Sequence, residues 1–274
     1  MMSRPVKIII LLAVALVSVG AQWLNHPTPG IPRTKDGKPN LSAPAPRTAD
    51  GKPDLSGIWQ VETPKPGEIE RLFSGLDELA HAVPGDDIRE ISRFFLNVLV
   101  DLKPGEVSVR PGARVNRNGT SAACEPPTLP NLHFIPLPSR IVQTPQLVVI
   151  LYEGEHTFRQ IYMDGRKLPV DPQPSWLGYS VGRWEGRTLV IETVGFNDRA
   201  PLDIFQHPRS ESLHLTEKYL RRDFGHMEVE MTIDDPKTYT KPFTLRFNQI
   251  LMPDTDLLEY FCIENEKDQV HLGK

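Results

Sequence analysis

From about residue 140 onward, short stretches of alternating apolar and polar residues follow one another, separated by brief turn signals. No other feature constrains the chain as strongly. Residues 148–162 read as one long strand, and 178–194 as a hairpin turning at Glu185-Gly186, a two-residue turn that suits twisted strands. Stretches 213–220, 226–233, 243–251 and 257–263 follow, divided by Asp223-Phe224-Gly225, Asp234-Asp235-Pro236 and Pro253-Asp254. Turns this short keep consecutive strands antiparallel. Such a meander closes into a barrel or packs as a sandwich, because closure removes exposed strand edges. The expected fold is all-β, an antiparallel barrel occupying residues 55–274 as a single domain.

Two segments ahead of the meander do not fit it. Ile69, Leu72, Phe73, Leu76, Leu79 and Ala80 recur at helical spacing, as do Ile88, Ile91, Phe94, Phe95, Val98 and Leu102. Pro104-Gly105 stops the second run. The spacing predicts a two-helix insertion over 66–102, packed outside the barrel or over one mouth. Residues 22–54 are rich in Pro, Gly, Lys and Asp and contain a two-copy repeat, Thr34 to Ser42 and Thr48 to Ser56, each built on Asp-Gly-Lys-Pro. Asp-Gly followed by Pro makes turns, and two copies are too few for a solenoid. The segment is expected to be an extended arm that lies over the domain or spaces it from something else.

Residues 1–21 have the parts of a secretory signal: Arg4 and Lys7, an apolar run from Ile8 to Val19, and the small-residue end Val19-Gly20-Ala21. The run is shorter than the ~20 apolar residues of a spanning helix. A mature chain beginning near Gln22, in the periplasm or secreted, is the expectation, with an uncleaved anchor as the alternative. Cys124 and Cys262 are the only cysteines. In an oxidising compartment an even pair suggests one disulfide, the alternative being two free buried thiols.

A net charge of −4 and an isoelectric point near 6.1 argue against nucleic acid, whose phosphates demand a basic face. No polybasic run marks a membrane surface either. A small molecule is the expected partner. No phosphate-binding glycine loop, dinucleotide fingerprint or haem attachment motif occurs, so no cofactor is expected.

The stretches His156 to Arg166, Gly178 to Gly186, Glu192 to Arg199 and Thr232 to Pro236 resemble a group of uncharacterised exported proteins common in soil bacteria. The resemblance spans nearly the whole chain and implies export and a common fold, without an activity. Asp54-Leu55-Ser56-Gly57-Ile58-Trp59 resembles the first-strand Gly-x-Trp of lipocalin and calycin barrels. That likeness implies a Trp closing the barrel floor under an Arg from the last strands, with Arg246 in that role. It also raises the odds of a ligand cavity without naming the ligand.

Side chains alternate along a strand, so parity sorts candidate residues by face. In 148–162, Tyr152, His156, Gln160 and Tyr162 share the parity of Val148 and Ile150, while Glu153, Glu155 and Arg159 take the other. Without a bulge at Gly154, His156 and Gln160 point into an aromatic-lined interior; a bulge would swap the later half. The plain alternative for His156 is a core histidine bonded to a tyrosine. Glu217 lies on the apolar parity of Leu213, Leu215 and Tyr219. A buried carboxylate must meet an Arg, take up a proton, or do acid/base chemistry. Arg159 has its own alternatives, a clamp for an acidic group or a partner for Glu153 or Glu155.

The connection 197–211 gathers Asn197, Asp198, Asp203, His207 and Ser210. His207 with Asp198 or Asp203 is a candidate oriented acid/base pair, whereas no Gly-x-Ser-x-Gly elbow surrounds Ser210. His156, His207, His214 and Glu217 supply metal donors, but not at diagnostic spacing, so no metal site is assigned. The functional expectation is an exported lyase, isomerase or hydrolase acting by general acid/base chemistry on a partly apolar, aromatic or plant-derived substrate. His156 and Glu217 would transfer protons, and His207 and Asp198 would assist. Tyr152, Arg159, Gln160, Tyr162, Trp176 and Asn197 would contact substrate. The alternative is a non-catalytic lipocalin-like carrier of a hydrophobic ligand, and a third is a cell-envelope interaction protein using the arm.

Overall fold

The computed structural model describes residues 27–73, 91–115, 126, 128–154 and 157–258. Nine strands form a closed barrel in sequence order: β1 (Gly57–Val61), β2 (Ser139–Gln143), β3 (Leu147–Tyr152), β4 (Phe158–Tyr162), β5 (Tyr179–Glu185), β6 (Thr188–Val194), β7 (His214–Arg221), β8 (His226–Asp234) and β9 (Phe243–Leu251). β1 pairs with both β2 and β9, which closes the sheet. The period-two pattern explains the assignment. β8 alternates strictly, burying Met227, Val229, Met231 and Ile233 and half-burying the residues between them. A one-residue slip would turn that whole apolar set to water.

Three expectations need correction. Residues 148–162 are two strands: β4 runs back antiparallel along β3, and Tyr152 donates its N–H to the Thr157 carbonyl at 2.8 Å. β4 and β5 are parallel rather than antiparallel, paired only at Ile161–Ser180 and Tyr162–Val181. The crossover 163–178 carries the chain from one end of the barrel to the other. Leu257 and Leu258 begin no strand; β9 already completes the barrel, and residues 259–263 lie outside the described set. The Glu185–Thr188 hairpin is as expected, with Gly186 at φ 60 in the left-handed region its turn requires.

The lower end holds the start of β1, the β7–β8 turn and the arm. Trp59 is fully buried and donates its indole N–H to the Leu55 carbonyl at 2.9 Å. The Arg beneath it is Arg221 from the end of β7, its guanidinium 4.8 Å from the ring centroid. Arg246, expected there, is exposed and pairs with Glu230 instead, because its β9 parity faces outward. Gly57 sits at φ 143, and a Cβ there would come within 2.6 Å of Leu251. The two repeat copies fold identically: Thr34 and Thr48 each take the Lys carbonyl and the Asp carboxylate of their own loop, and Arg33 and Arg47 each reach their Gly carbonyl. The arm runs against the β7–β8 turn, where Phe224 and Gly225 donate to the carbonyls of Ala43 and Leu41.

The upper end carries the insertion between β1 and β2 and the β6–β7 connection. Only two short helices are described in the insertion, α1 (Glu68–Leu72) and α2 (Arg93–Leu96). The predicted second helix stops at Asn97, whose side chain accepts the Leu99 N–H and whose backbone is extended. Ile69, Phe73, Ile91 and Leu96 form a small core of their own beside the barrel. The chain then enters the bore from above through a single 3₁₀ turn, Asn131–His133, and Phe134 packs edge-on against Phe247 at 5.0 Å.

Candidate functional site

The bore is occupied by protein side chains rather than left open. Arg159 enters from β4 on the inward parity, since the antiparallel register of β3 and β4 brings Arg159 opposite Ile150. It donates to Ser180 Oγ (2.9 Å), Thr193 Oγ1 (2.6 Å) and both oxygens of Glu217. Tyr219 donates to Glu217 Oε1 at 2.9 Å, and His133 Nε2 approaches the same oxygen at 3.1 Å. Every one of these side chains is buried. Burial alone would raise the Glu217 pKa, but the Arg159 charge reverses that and holds the carboxyl well below the usual carboxylate range. Burial likewise works against the Arg159 charge and Glu217 more than offsets it. Burial pushes the Tyr152 and Tyr219 phenols up, so both stay protonated.

A group that neither gains nor loses a proton near neutral pH, and that no solvent reaches, is a poor acid or base. Glu217 is therefore the internal ion pair weighed as one of its three options, and its partner is Arg159 rather than the Glu153 or Glu155 considered for that arginine. Gln160 is exposed, and Tyr162 is half-buried on the outer face, where Arg166 stacks 3.7 Å from its ring centroid. Both were expected inside; the turn at Gly154 exchanges the faces. Tyr152 does face the bore. His156, Cys124 and Cys262 lie outside the described residues, as do residues 1–21, where the leader is expected.

The 197–211 loop forms a second cluster at the upper end. Asp203, fully buried, accepts the His207 ring at Nδ1 (2.6 Å), the His207 N–H (3.1 Å) and the Val98 N–H (2.7 Å). Gln206 adopts φ 64 in the turn that folds His207 back. Neighbouring N–H groups of Ile204 and Phe205 donate to the carbonyls of Phe95 and Leu96, so this loop clamps the insertion onto the barrel. Of the two partners expected for His207, Asp198 or Asp203, it is Asp203 that pairs with it. Asn197 and Trp176 meet at Arg209, which donates to Asn197 Oδ1, to Thr128 and to the carbonyls of Leu129 and Trp176. Burial pushes the Arg209 pKa down to about 9, leaving it cationic at neutral pH. Ser210 donates to Asp235, which also accepts its backbone N–H, so the hydroxyl caps a turn. Among the described residues no three His, Cys, Asp or Glu side chains converge as metal ligands. Parity explains part of this: His214 and Glu217, three apart on β7, point to opposite faces.

An accessible concavity lies elsewhere, on the outer wall. A cleft of about 930 Å³ separates the insertion from the outward face of β6–β9. Its floor is an in-register ladder, Lys218 opposite Glu230 opposite Arg246, with ion pairs at 3.2 and 2.8 Å. Its far wall is α1 and the start of α2, where Arg93 joins Glu68 (3.2 Å) to Asp101 (2.9 Å). Val61, Pro64, Leu72 and Leu220 add apolar surface to the lining. The sequence marks Glu228 and Glu230 only as a solvated face. Their parity was readable, whereas the fold-back of the insertion over that face carries no local signal.

Comparison with known protein families, curated proteins and solved structures finds no match for this chain.

Proposed function

We propose that this is an exported, periplasmic or secreted, small-molecule binding protein whose ligand sits in the outer-wall cleft rather than in the bore. The observation that carries the reading is the cleft itself. It is large enough for a small organic molecule, it is walled by two elements far apart in sequence, and it combines ionic rows with apolar surface. Among the described residues the bore is crossed by Arg159, Glu217, His133 and Phe134. A carrier of the lipocalin type would instead hold its ligand there.

The test is native mass spectrometry of protein purified from a bacterial periplasm, paired with the Thr63→Trp variant. Thr63 is an exposed residue on the cleft wall, and an indole there intrudes on the cleft without disturbing the core. The wild type retains a small molecule that the variant loses. Equal retention by both would place the ligand elsewhere and overturn the reading.

General acid/base turnover keeps one specific observation in its favour: a buried Asp203 orienting a His207 ring that is itself partly exposed. On that reading a molecule that reaches His207, which lies outside the cleft lining, is converted during incubation, and His207→Gln stops that conversion without changing retention in the cleft. Unchanged conversion in the variant would sink it.

A further inference from the structure

The charges in the cleft do not all cancel locally. Arg93 is matched by Glu68 and Asp101, and Lys218 and Arg246 share Glu230. Glu228 is held from outside the cleft by Arg222, and Glu62 accepts the Asn248 amide. Two lining cations remain. Lys65 uses its backbone N–H on Glu68, and its ammonium has no carboxylate partner among the described residues. Arg71 donates its Nε to the Gly67 carbonyl at 3.2 Å, and its two terminal nitrogens have no carboxylate partner among the described residues. The two residues stand on successive, overlapping turns: the Lys65 carbonyl accepts the Glu68 N–H, and the Gly67 carbonyl accepts the Arg71 N–H. Leu72, 41% exposed, follows Arg71 directly and lines the same cleft.

We infer that the cleft ligand is an amphipathic organic anion: a carboxylate gripped by Lys65 and Arg71, with an apolar body along Leu72, Val61 and Leu220. The guanidinium supplies a planar pair of donors that fits a carboxylate, and the ammonium adds a mobile point charge. Arg93, Lys218 and Arg246, the other cations of the lining, are already matched by carboxylates, which leaves Lys65 and Arg71 as the head-group site. This inference rests on the cleft reading and goes further by fixing the charge of the ligand.

Hexanoate, hexanamide and hexylammonium share one tail and differ only in head-group charge. Titrating each into the full-length protein, with backbone amide shifts followed by NMR, tests the two readings separately. Hexanoate should shift residues 63–72 and 218–230 and bind at least about tenfold more tightly than hexanamide, with hexylammonium weakest. The Lys65→Gln/Arg71→Gln variant should erase the preference for hexanoate and leave hexanamide unchanged. Both changes are at exposed side chains, so the fold should survive, and an unchanged amide spectrum outside the cleft checks that. Equal binding of hexanoate and hexanamide at the cleft would overturn the anion inference and leave the cleft site standing. Shifts elsewhere, or none from any of the three, would overturn both.

Discussion

Glu217 and Lys218 are neighbours on β7, yet they inhabit different chemistries. Glu217 faces inward, completely removed from water, and is tied to Arg159, Tyr219 and His133. Lys218 faces outward, about half exposed, and pairs with Glu230 across a register that also brings Arg246 to the same acid. One network sits in a medium where a charge without its partner is expensive. The other sits where water and salt stand ready to replace either partner. The inner network pins one conformation of the bore, including the 3₁₀ turn that carries His133. The outer one can exchange partners, which is what a ligand site needs.

Breaking the inner pair should give the largest effect. Glu217→Ala leaves a buried guanidinium unpaired, and Arg159→Ala leaves a buried carboxylate. Each should cost about 3–5 kcal/mol in urea unfolding. Arg159→Met with Glu217→Leu removes both charges together and should recover most of that loss. If the double variant is as unstable as either single one, the cost is in packing and the comparison loses its electrostatic basis.

Acid sharpens the same contrast. Because Glu217 is held below the usual carboxylate range in the folded protein, its charge binds fewer protons there than in the unfolded chain. Its contribution is fully present above the unfolded carboxyl pKa of about 4.3 and fades as pH falls through the folded value. The stability gap between wild type and Glu217→Gln should therefore narrow as pH falls below about 4. The same comparison for Glu230→Gln should narrow in the same direction but by less, since burial works against the pull by which Lys218 and Arg246 hold this partly exposed carboxyl below its ordinary value. A gap at Glu217 that is independent of pH would mean that the residue is not ionised in the bore.

Much of this molecule was readable from residue order. The period-two runs predicted β5 to β9 nearly to the residue, and the apolar parity of Glu217 marked it as a buried charge. Parity failed at Gly154, where a turn rather than a continuous strand reversed the faces, so Arg159 went in and Gln160 and Tyr162 went out. Nothing local distinguishes a bulge from a hairpin when both begin at a glycine flanked by acids. Arg221 was missed because a cation at a strand end reads as solvated; only closure of the barrel sets it under Trp59. The cleft was the least visible feature, since it joins α1 to β7–β9 through tertiary packing that no spacing encodes.

Asp203 is intermediate between the two networks. It is as buried as Glu217, but its donors are backbone N–H groups of Val98 and His207 and the His207 ring rather than an arginine. Asp203→Ala should cost about 1–3 kcal/mol, the loss of bonds to a charged acceptor whose former donors partly regain water. Because the loop clamps the insertion, amide exchange should speed up first at residues 95–98, before the barrel strands respond. Uniform acceleration across the barrel would show that insertion and barrel unfold as one unit.

The smallest effect belongs to the outer ladder, and it decides whether the cleft is adaptable. Arg246 is largely exposed and Lys218 about half exposed, so each ion pair to Glu230 competes with water and loses side-chain entropy to form. Glu230→Gln should change stability by no more than about 1 kcal/mol, and by less still at 1 M salt, where charges a few ångströms apart are already screened. The same substitution frees two cations on the cleft floor, so it should strengthen hexanoate binding and weaken its dependence on Lys65 and Arg71. Urea midpoints at low and high salt, followed by the hexanoate titration, separate the two effects. A loss above about 2 kcal/mol that survives high salt would mean that the outer ladder is as rigid as the inner pair. In that case the cleft floor would be part of the scaffold, and the division between a pinned bore and an exchangeable outer wall would fall.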